Sequence, residues 1–187
     1  MSKVIMCVGI PGSGKSTWAK AEVAKDPSNW VRVNNDDLRA MMNGSVWSAD
    51  YEKMITDARN YLIRDALKRG KNVIIDNLNL NKRHFDDVCK IAKSVNCNVQ
   101  VFEKAFYIEL EDAIERDSKR EGKAKVGEEV IKKWWKEDRE ITRKTGGLAE
   151  KQESMKRKLD VAMSILTEER RERNIPVEVD RRRLKLA

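Results

Sequence analysis

Residues 9–16, which read Gly9-Ile-Pro-Gly-Ser-Gly-Lys15-Ser16, narrow the possible folds of this chain more than any other stretch. They fit the pattern GxxxxGK(S/T), which binds phosphate where it follows a strand and opens a helix. The sequence predicts both flanking elements. Residues 3–8 are apolar and β-branched, as in a buried strand, and residues 15–25 are expected to be helical. Glycines allow turns in which several N–H groups point into one concavity, and the helix N-terminus adds partial positive charge. The stretch therefore predicts a nucleotide-phosphate site.

This loop also gives the first candidate binding residues. The Lys15 ammonium is expected to reach the β- and γ-phosphates of ATP, which makes it a catalytic candidate as well, and the Ser16 hydroxyl is the expected ligand of Mg²⁺. The predicted ATP-binding residues of the loop are Gly9, Gly12, Ser13, Gly14, Lys15, Ser16 and Thr17. The loop does not identify the acceptor of the γ-phosphate, so water, a protein and a small molecule all remain open.

The rest of the chain alternates predicted strands with predicted helices. Further strands are expected over 31–33, 72–76 and 98–106, and helices over 36–42, 50–69, 82–95, 109–120 and 128–143. Such alternation implies an α/β fold with a mostly parallel sheet covered by helices on both faces. We predict one domain over 1–145 and a C-terminal helical extension over 146–187 packed on it. The extension is expected to contain a charged helix over 148–173 and an edge strand at 177–179.

Charge and cysteine content restrict the partners. The chain has 39 Lys and Arg against 31 Asp and Glu, a net charge of +8, which favours anionic partners such as nucleic acid but also fits a well-solvated basic surface. Three cysteines without a CxxC pair and one histidine argue against a zinc site and a disulfide framework. With no stretch of membrane-spanning length and no signal-peptide pattern, we expect a cytoplasmic protein without a membrane partner.

An acidic stretch follows the second predicted strand, Asn34-Asn-Asp36-Asp37-Leu-Arg39. Ligands of doubly wound sheets bind beyond the carboxyl ends of the strands, so Asp36 is expected to face the phosphate loop. A kinase needs a carboxylate to orient the acceptor hydroxyl and take its proton, and Asp36 is the candidate, with Asp37 as its rival. Arg39 is a candidate for holding an acceptor phosphate. The alternative is an ordinary helix start, capped by Asn35 or Asp36.

Two later stretches carry weaker signals. Asn77 and Asn79 follow the strand that ends at Asp76, where they are candidates for acceptor binding or for the second shell of magnesium, although asparagine also serves plain turns. Arg116 and Arg120 are four residues apart, hence predicted to share one helix face. They would clamp the transferring phosphoryl group as a lid, or else belong to a solvated basic face.

Together these stretches carry a family resemblance. GxPGSGKSTWA, NxDDxR, a strand leading to DNxNLN, and RxSKR followed by KAxV occur in this order over residues 1 to about 135. Through these four motifs the chain resembles the polynucleotide 5′-kinases, especially the kinase domain of the phage polynucleotide kinase–phosphatase. The resemblance implies a P-loop kinase fold that uses ATP and Mg²⁺. The DxDGT signature of the phosphatase is absent from the sequence, so removal of 3′-phosphates is not expected.

The resemblance also implies roles for single residues. Asp36 would be the general base on a 5′-hydroxyl and Arg39 would contact the acceptor's 3′-phosphate, with Asn77 supporting that site. Arg116 and Arg120 would be lid arginines on the ATP phosphates. The implied function is ATP-dependent phosphorylation of 5′-hydroxyl ends of DNA or RNA. Two alternatives remain open: a P-loop kinase of a small molecule such as a nucleoside or sugar nucleotide, and a nucleotide-dependent nucleic-acid-binding or toxin–antitoxin-type module.

Overall fold

The computed structural model describes residues 2–144. The predicted extension over 146–187, with its helix over 148–173 and its strand at 177–179, lies outside the described residues. Within residues 2–144 no helix combines the length and the apolar content that crossing a membrane requires.

Strands and helices alternate along the described chain. The strands are β1 Lys3–Val8, β2 Trp30–Val33, β3 Asn72–Asp76 and β4 Gln100–Ala105. The helices are α1 Lys15–Lys25, α2 Asn35–Asn43, α3 Ala49–Lys68, α4 Lys82–Val95, α5 Leu110–Ser118 and α6 Glu128–Lys144, and Gly122–Ala124 form a short 3₁₀ helix. Every strand and α-helix predicted within this region is confirmed, with ends that differ by at most two residues.

The four strands form one sheet in the order β2-β3-β1-β4, and every pairing is parallel. The predicted parallel α/β sheet is therefore confirmed. Strands β1 and β3 are neighbours in register, with Cys7 opposite Asp76. Because both strands run the same way, the phosphate loop after β1 and the polar residues after β3 emerge side by side.

Side chains of the central strands alternate between two apolar layers, as a period of two requires. Val4 and Met6 of β1 join the cluster that contains Ile55 of α3 and Val88 of α4. Cys7, which follows Met6, lies in a separate cluster that contains residues of α1. Both layers are fully buried at these strand positions, so the strand ends that carry the functional loops rest on a close-packed core.

Helix α2 begins one residue earlier than predicted, and its cap is a different residue. Asn34 is the N-cap, and its side-chain oxygen accepts a hydrogen bond of 2.9 Å from the backbone N–H of Asp37. Capping by Asn35 or Asp36 is therefore wrong. The Asn34 amide also donates to the carbonyl of Asp76, which ties the end of β2 to the end of β3. The Asp36 carboxylate is consequently not used as a cap.

Candidate active site

A cleft of about 710 Å³ opens at the carboxyl ends of β1, β2 and β3. Its walls come from the phosphate loop and α1, the start of α2, the turn between α2 and α3, the end of β3, and the segment after α5. The volume lies within the roughly 300–1,000 Å³ that is usual for ligand sites. The charged side chains that line it are Lys15, Lys20, Arg32, Arg39 and Arg120 with Asp36, Asp37 and Asp76. The excess of cations suits an anionic ligand.

The phosphate loop needs two of its glycines for space as well as for conformation. A Cβ on Gly9 would lie 2.5 Å from the carbonyl oxygen of Phe106, and a Cβ on Gly12 would lie 3.1 Å from the backbone of Ala113 in α5. Gly12 also has a φ of 85°, which other residues adopt only at a cost. The loop is thus clamped between β4 and α5. Of the predicted ATP-binding residues, Gly12, Gly14, Lys15, Ser16, Thr17 and Arg120 line the cleft, whereas Gly9, Ser13 and Arg116 do not.

Lys15 is folded onto the loop from which it projects. Its Nζ donates to the carbonyl of Ile10 at 2.7 Å and to the Ser13 hydroxyl at 3.2 Å, and the residue is only 8% exposed. Burial lowers the pKa of Lys15 from 10.5 to about 8, against the opposing effect of the Asp76 carboxylate. A phosphate in the loop would stabilise the charged form of this ammonium.

Asp76 is a candidate functional residue that the sequence prediction missed. The Ser16 hydroxyl donates to its Oδ1 at 3.1 Å, and the aspartate is 1% exposed at the end of β3. A serine hydroxyl beside a carboxylate is a set of hard oxygen donors of the kind Mg²⁺ prefers, so these two residues fit a magnesium ion. The available signal was an apolar strand that ends in an acid, which becomes informative once β3 is known to lie beside β1.

Arg32 was also missed, and it links the buried Asp76 at the end of β3 to Asp37 in α2. Its Nε and a terminal nitrogen bind Asp76 Oδ2 at 2.8 and 2.6 Å, and its other terminal nitrogen binds Asp37. Asp37 therefore belongs to an ion-pair network that reaches Ser16 through Asp76. The neighbouring carboxylate, Asp36, binds a different arginine.

Asp36 belongs to a second network, centred on Arg39. The Arg39 guanidinium holds Glu52 of α3 through two bonds, of 2.5 and 2.9 Å, and binds Asp36 with its remaining terminal nitrogen. Glu52 was not identified from the sequence, because its link to Arg39 depends on the packing of α3 against α2. The Asp36 side chain is 85% exposed and lines the cleft, so a hydroxyl group has access to its carboxylate.

The two asparagines after β3 have different places. Asn77 lines the cleft, and its side-chain oxygen accepts from the backbone N–H of Asn35 at 2.8 Å. Asn79 is 5% exposed, has a φ of 50° and donates from its amide to the carbonyl of Cys7 at 2.9 Å. This contact joins the ends of β1 and β3 and directs the Asn79 side chain away from the cleft. The geometry does not support the acceptor-binding role that was predicted for Asn79.

The two arginines that the sequence predicts as a lid do not share a helix face. Helix α5 ends at Ser118, so Arg120 lies beyond it, and the prediction of a common face is wrong. Arg116 donates to the carbonyl of Gly12 at 3.1 Å and so holds the phosphate loop from outside the cleft, whereas Arg120 lines the cleft. Asp117 accepts from the backbone N–H groups of Val126 and Gly127 at 3.0 and 2.8 Å. This buried carboxylate orders the segment after α5.

A parallel sheet whose central strand leads into this loop, with a buried carboxylate beside the loop serine, defines a P-loop kinase fold. A family model described as an AAA domain matches residues 4–142, and the chain belongs to that family.

The curated proteins that are similar to this chain include two kinases or proposed kinases. One is the L-seryl-tRNA(Sec) kinase of Methanococcus maripaludis, 34% identical over 134 residues, which are 69% of this chain and 49% of the relative. The other, from Autographa californica nuclear polyhedrosis virus, has a name that proposes a bifunctional polynucleotide kinase/RNA ligase. It is 31% identical over 148 residues, which are 72% of this chain and 20% of the relative. The chain thus spans half or less of the curated relatives it matches.

Among solved structures, the Pnkp1/Rnl/Hen1 RNA repair complex contains a chain with a TM-score of 0.67 and 33% identity, over 76% of this chain and 46% of that one. Together with the viral relative, this confirms the resemblance to polynucleotide kinases that the four motifs carried.

Proposed function

We propose that this protein is a polynucleotide 5′-hydroxyl kinase, which transfers the γ-phosphate of ATP to the 5′-hydroxyl end of DNA or RNA. One observation carries the proposal: Asp36 and Arg39 line the same cleft as Lys15 and Ser16. A phosphate donor on the loop and a hydroxyl at Asp36 would therefore share one cleft, as in-line transfer requires.

On the donor side, the N–H groups of the loop and the Lys15 ammonium would bind the β- and γ-phosphates. Ser16 and Asp76 would hold Mg²⁺, which supplies charge neutralisation at the phosphate oxygens. Arg120 would add a second cation from the segment after α5, where Asp117 orders the chain. These groups would stabilise the negative charge of the transition state. Such stabilisation is the protein's main contribution, because phosphoryl transfer requires little covalent chemistry from it.

On the acceptor side, a phosphate of the incoming strand would compete with Asp36 for the terminal nitrogen of Arg39. Glu52 holds another edge of that guanidinium in place through its two bonds. The released Asp36 carboxylate would accept the proton of the 5′-hydroxyl while the oxygen attacks the γ-phosphorus. The new P–O bond forms as the bond from the γ-phosphorus to the bridging oxygen breaks, and ADP leaves.

The charge and the relatives support a nucleic-acid acceptor. Five basic side chains against three carboxylates line the cleft, and the chain carries a net charge of +8. Two of the similar proteins are named for polynucleotide kinase or RNA repair. A second candidate is phosphorylation of a hydroxyl carried by a tRNA, because the L-seryl-tRNA(Sec) kinase is 34% identical.

The test offers γ-labelled ATP and magnesium with a panel of acceptors: 5′-hydroxyl RNA, 5′-hydroxyl DNA, seryl-tRNA and free nucleosides. We expect label on the 5′ ends of oligonucleotides, and none with a Lys15→Met variant as the control. Label confined to seryl-tRNA would establish the second candidate instead. Label confined to nucleosides, or slow ATP hydrolysis that no acceptor stimulates, would refute the proposal.

A further inference from the structure

Trp47 is a large aromatic side chain at the cleft that the mechanism above does not use. It lines the cleft, yet 71% of the residue is exposed. Tryptophan is usually well buried, because its ring gains more than most side chains from leaving water. A tryptophan that stays exposed beside a ligand site is therefore an available contact surface for that ligand.

The turn that carries Trp47 has a defined backbone. Gly44 and Ser45 both have positive φ, 63° and 67°, and a serine holds this conformation only where its surroundings maintain it. The Ser45 N–H donates to the carbonyl of Arg39 at 3.0 Å. The Asn43 amide donates to the carbonyl of Val46 at 2.8 Å. These bonds fix the backbone on the N-terminal side of Trp47 against helix α2.

The other side of the turn is fixed as well. Ser48 caps α3, with its hydroxyl accepting from the backbone N–H of Tyr51 at 3.3 Å. Glu52, in the first turn of α3, holds the Arg39 guanidinium at 2.5 Å. Hydrogen bonds therefore hold the backbone on both sides of Trp47 to helices α2 and α3, and the ion pair between Glu52 and Arg39 joins the same two helices. A cation for phosphate and an aromatic ring for stacking are the two elements that recognise a nucleotide without reading its sequence.

We propose that Trp47 is a stacking residue for the base of the 5′-terminal nucleotide of the acceptor strand. This inference rests on the proposed function, since it assigns a contact within the same acceptor site. Every base offers a π-face, so the contact tolerates sequence but distinguishes a nucleotide from an acceptor that lacks a base.

The experiment compares two 5′-hydroxyl oligonucleotides that differ only at the terminal nucleotide, one with a base and one abasic. Steady-state transfer is measured for the wild type, Trp47→Ala, Trp47→Phe and Tyr61→Ala. Tyr61 is the matched control, an aromatic residue of α3 that is 67% exposed and does not line the cleft. Thermal melts and the KM for ATP check that each variant keeps its fold and its donor site.

We expect Trp47→Ala to raise the KM for the base-bearing acceptor roughly 5- to 100-fold, the range that one stacked base accounts for. Its KM for the abasic acceptor should equal that of the wild type. The KM of Trp47→Phe for the base-bearing acceptor should lie between those of the wild type and Trp47→Ala. The KM of Tyr61→Ala should match that of the wild type. An unchanged KM in Trp47→Ala, or an equal rise for both acceptors, would overturn the stacking role while leaving the proposed function intact. No transfer by the wild type to any 5′-hydroxyl end would overturn both.

Discussion

Arg32 joins one buried and one exposed carboxylate, and this pairing gives a sharp prediction about stability. Its side chain is 14% exposed, that of Asp76 is 1% exposed, and that of Asp37 is 64% exposed. Removing one partner of a buried pair costs about 3–5 kcal/mol, because the other charge remains in a poorly solvated place. Exposed pairs contribute about 0–1 kcal/mol.

We therefore expect Asp76→Asn to lower the free energy of unfolding by about 3 kcal/mol, the lower end of that range, since Asp37 still holds Arg32. Asp37→Asn should cost at most about 1 kcal/mol. For a chain of this size each kcal/mol shifts Tm by about 2–4 °C, so the expected losses are roughly 6–12 °C and at most about 4 °C.

The assay is thermal and urea unfolding of the full chain without nucleotide, with both variants measured beside the wild type. The comparison is internal, because both substitutions convert Asp to Asn at the same arginine. Equal Tm losses in the two variants, or an Asp76→Asn protein as stable as the wild type, would refute the reasoning that burial decides the strength of this network.

Three further predictions concern other parts of the site. Because burial lowers the pKa of Lys15 to about 8, the unfolded chain binds more protons between that pH and 10.5. The stability of the wild type relative to Lys15→Met should therefore rise by up to about 3 kcal/mol across that window in denaturant titrations, and a difference that does not change with pH would contradict the burial of a charged Lys15. Asn34→Ala should lose about 1–2 kcal/mol in the same assay through the missing helix cap, and a variant as stable as the wild type would contradict that role. Asp117→Ala should expose residues 119–127 to limited proteolysis and raise the KM for ATP roughly tenfold by loosening Arg120. An unchanged cleavage pattern would contradict the ordering role of Asp117.

The donor half of the site was predictable because its chemistry is local in sequence. The loop motif fixes where β1 ends and where α1 begins, and both elements have the predicted bounds. Asp76 was missed as a partner of Ser16, since the two are 60 residues apart and meet only because β1 and β3 are neighbours in the sheet. Strand order is a tertiary property that no local pattern specifies.

The acceptor half depends more on backbone detail. A shift of one residue moved the cap of α2 to Asn34. The φ of 50° at Asn79 turns its amide toward Cys7 instead of the cleft. Glu52 reaches Arg39 only because α3 packs beside α2, and Trp47 reaches the cleft through the turn between these helices; neither residue stands out in the sequence as part of a site.

In the proposed mechanism Asp36, and not its neighbour Asp37, serves the acceptor hydroxyl across the cleft from the phosphate loop. Single-turnover transfer of labelled phosphate to a saturating 5′-hydroxyl oligonucleotide tests it directly in Asp36→Asn and Asp37→Asn. We predict that Asp36→Asn slows transfer by roughly 10²- to 10⁴-fold with ATP and oligonucleotide binding intact, while Asp37→Asn stays within about tenfold of the wild type. Full-rate transfer by Asp36→Asn, or the loss of transfer in Asp37→Asn alone, would contradict the account.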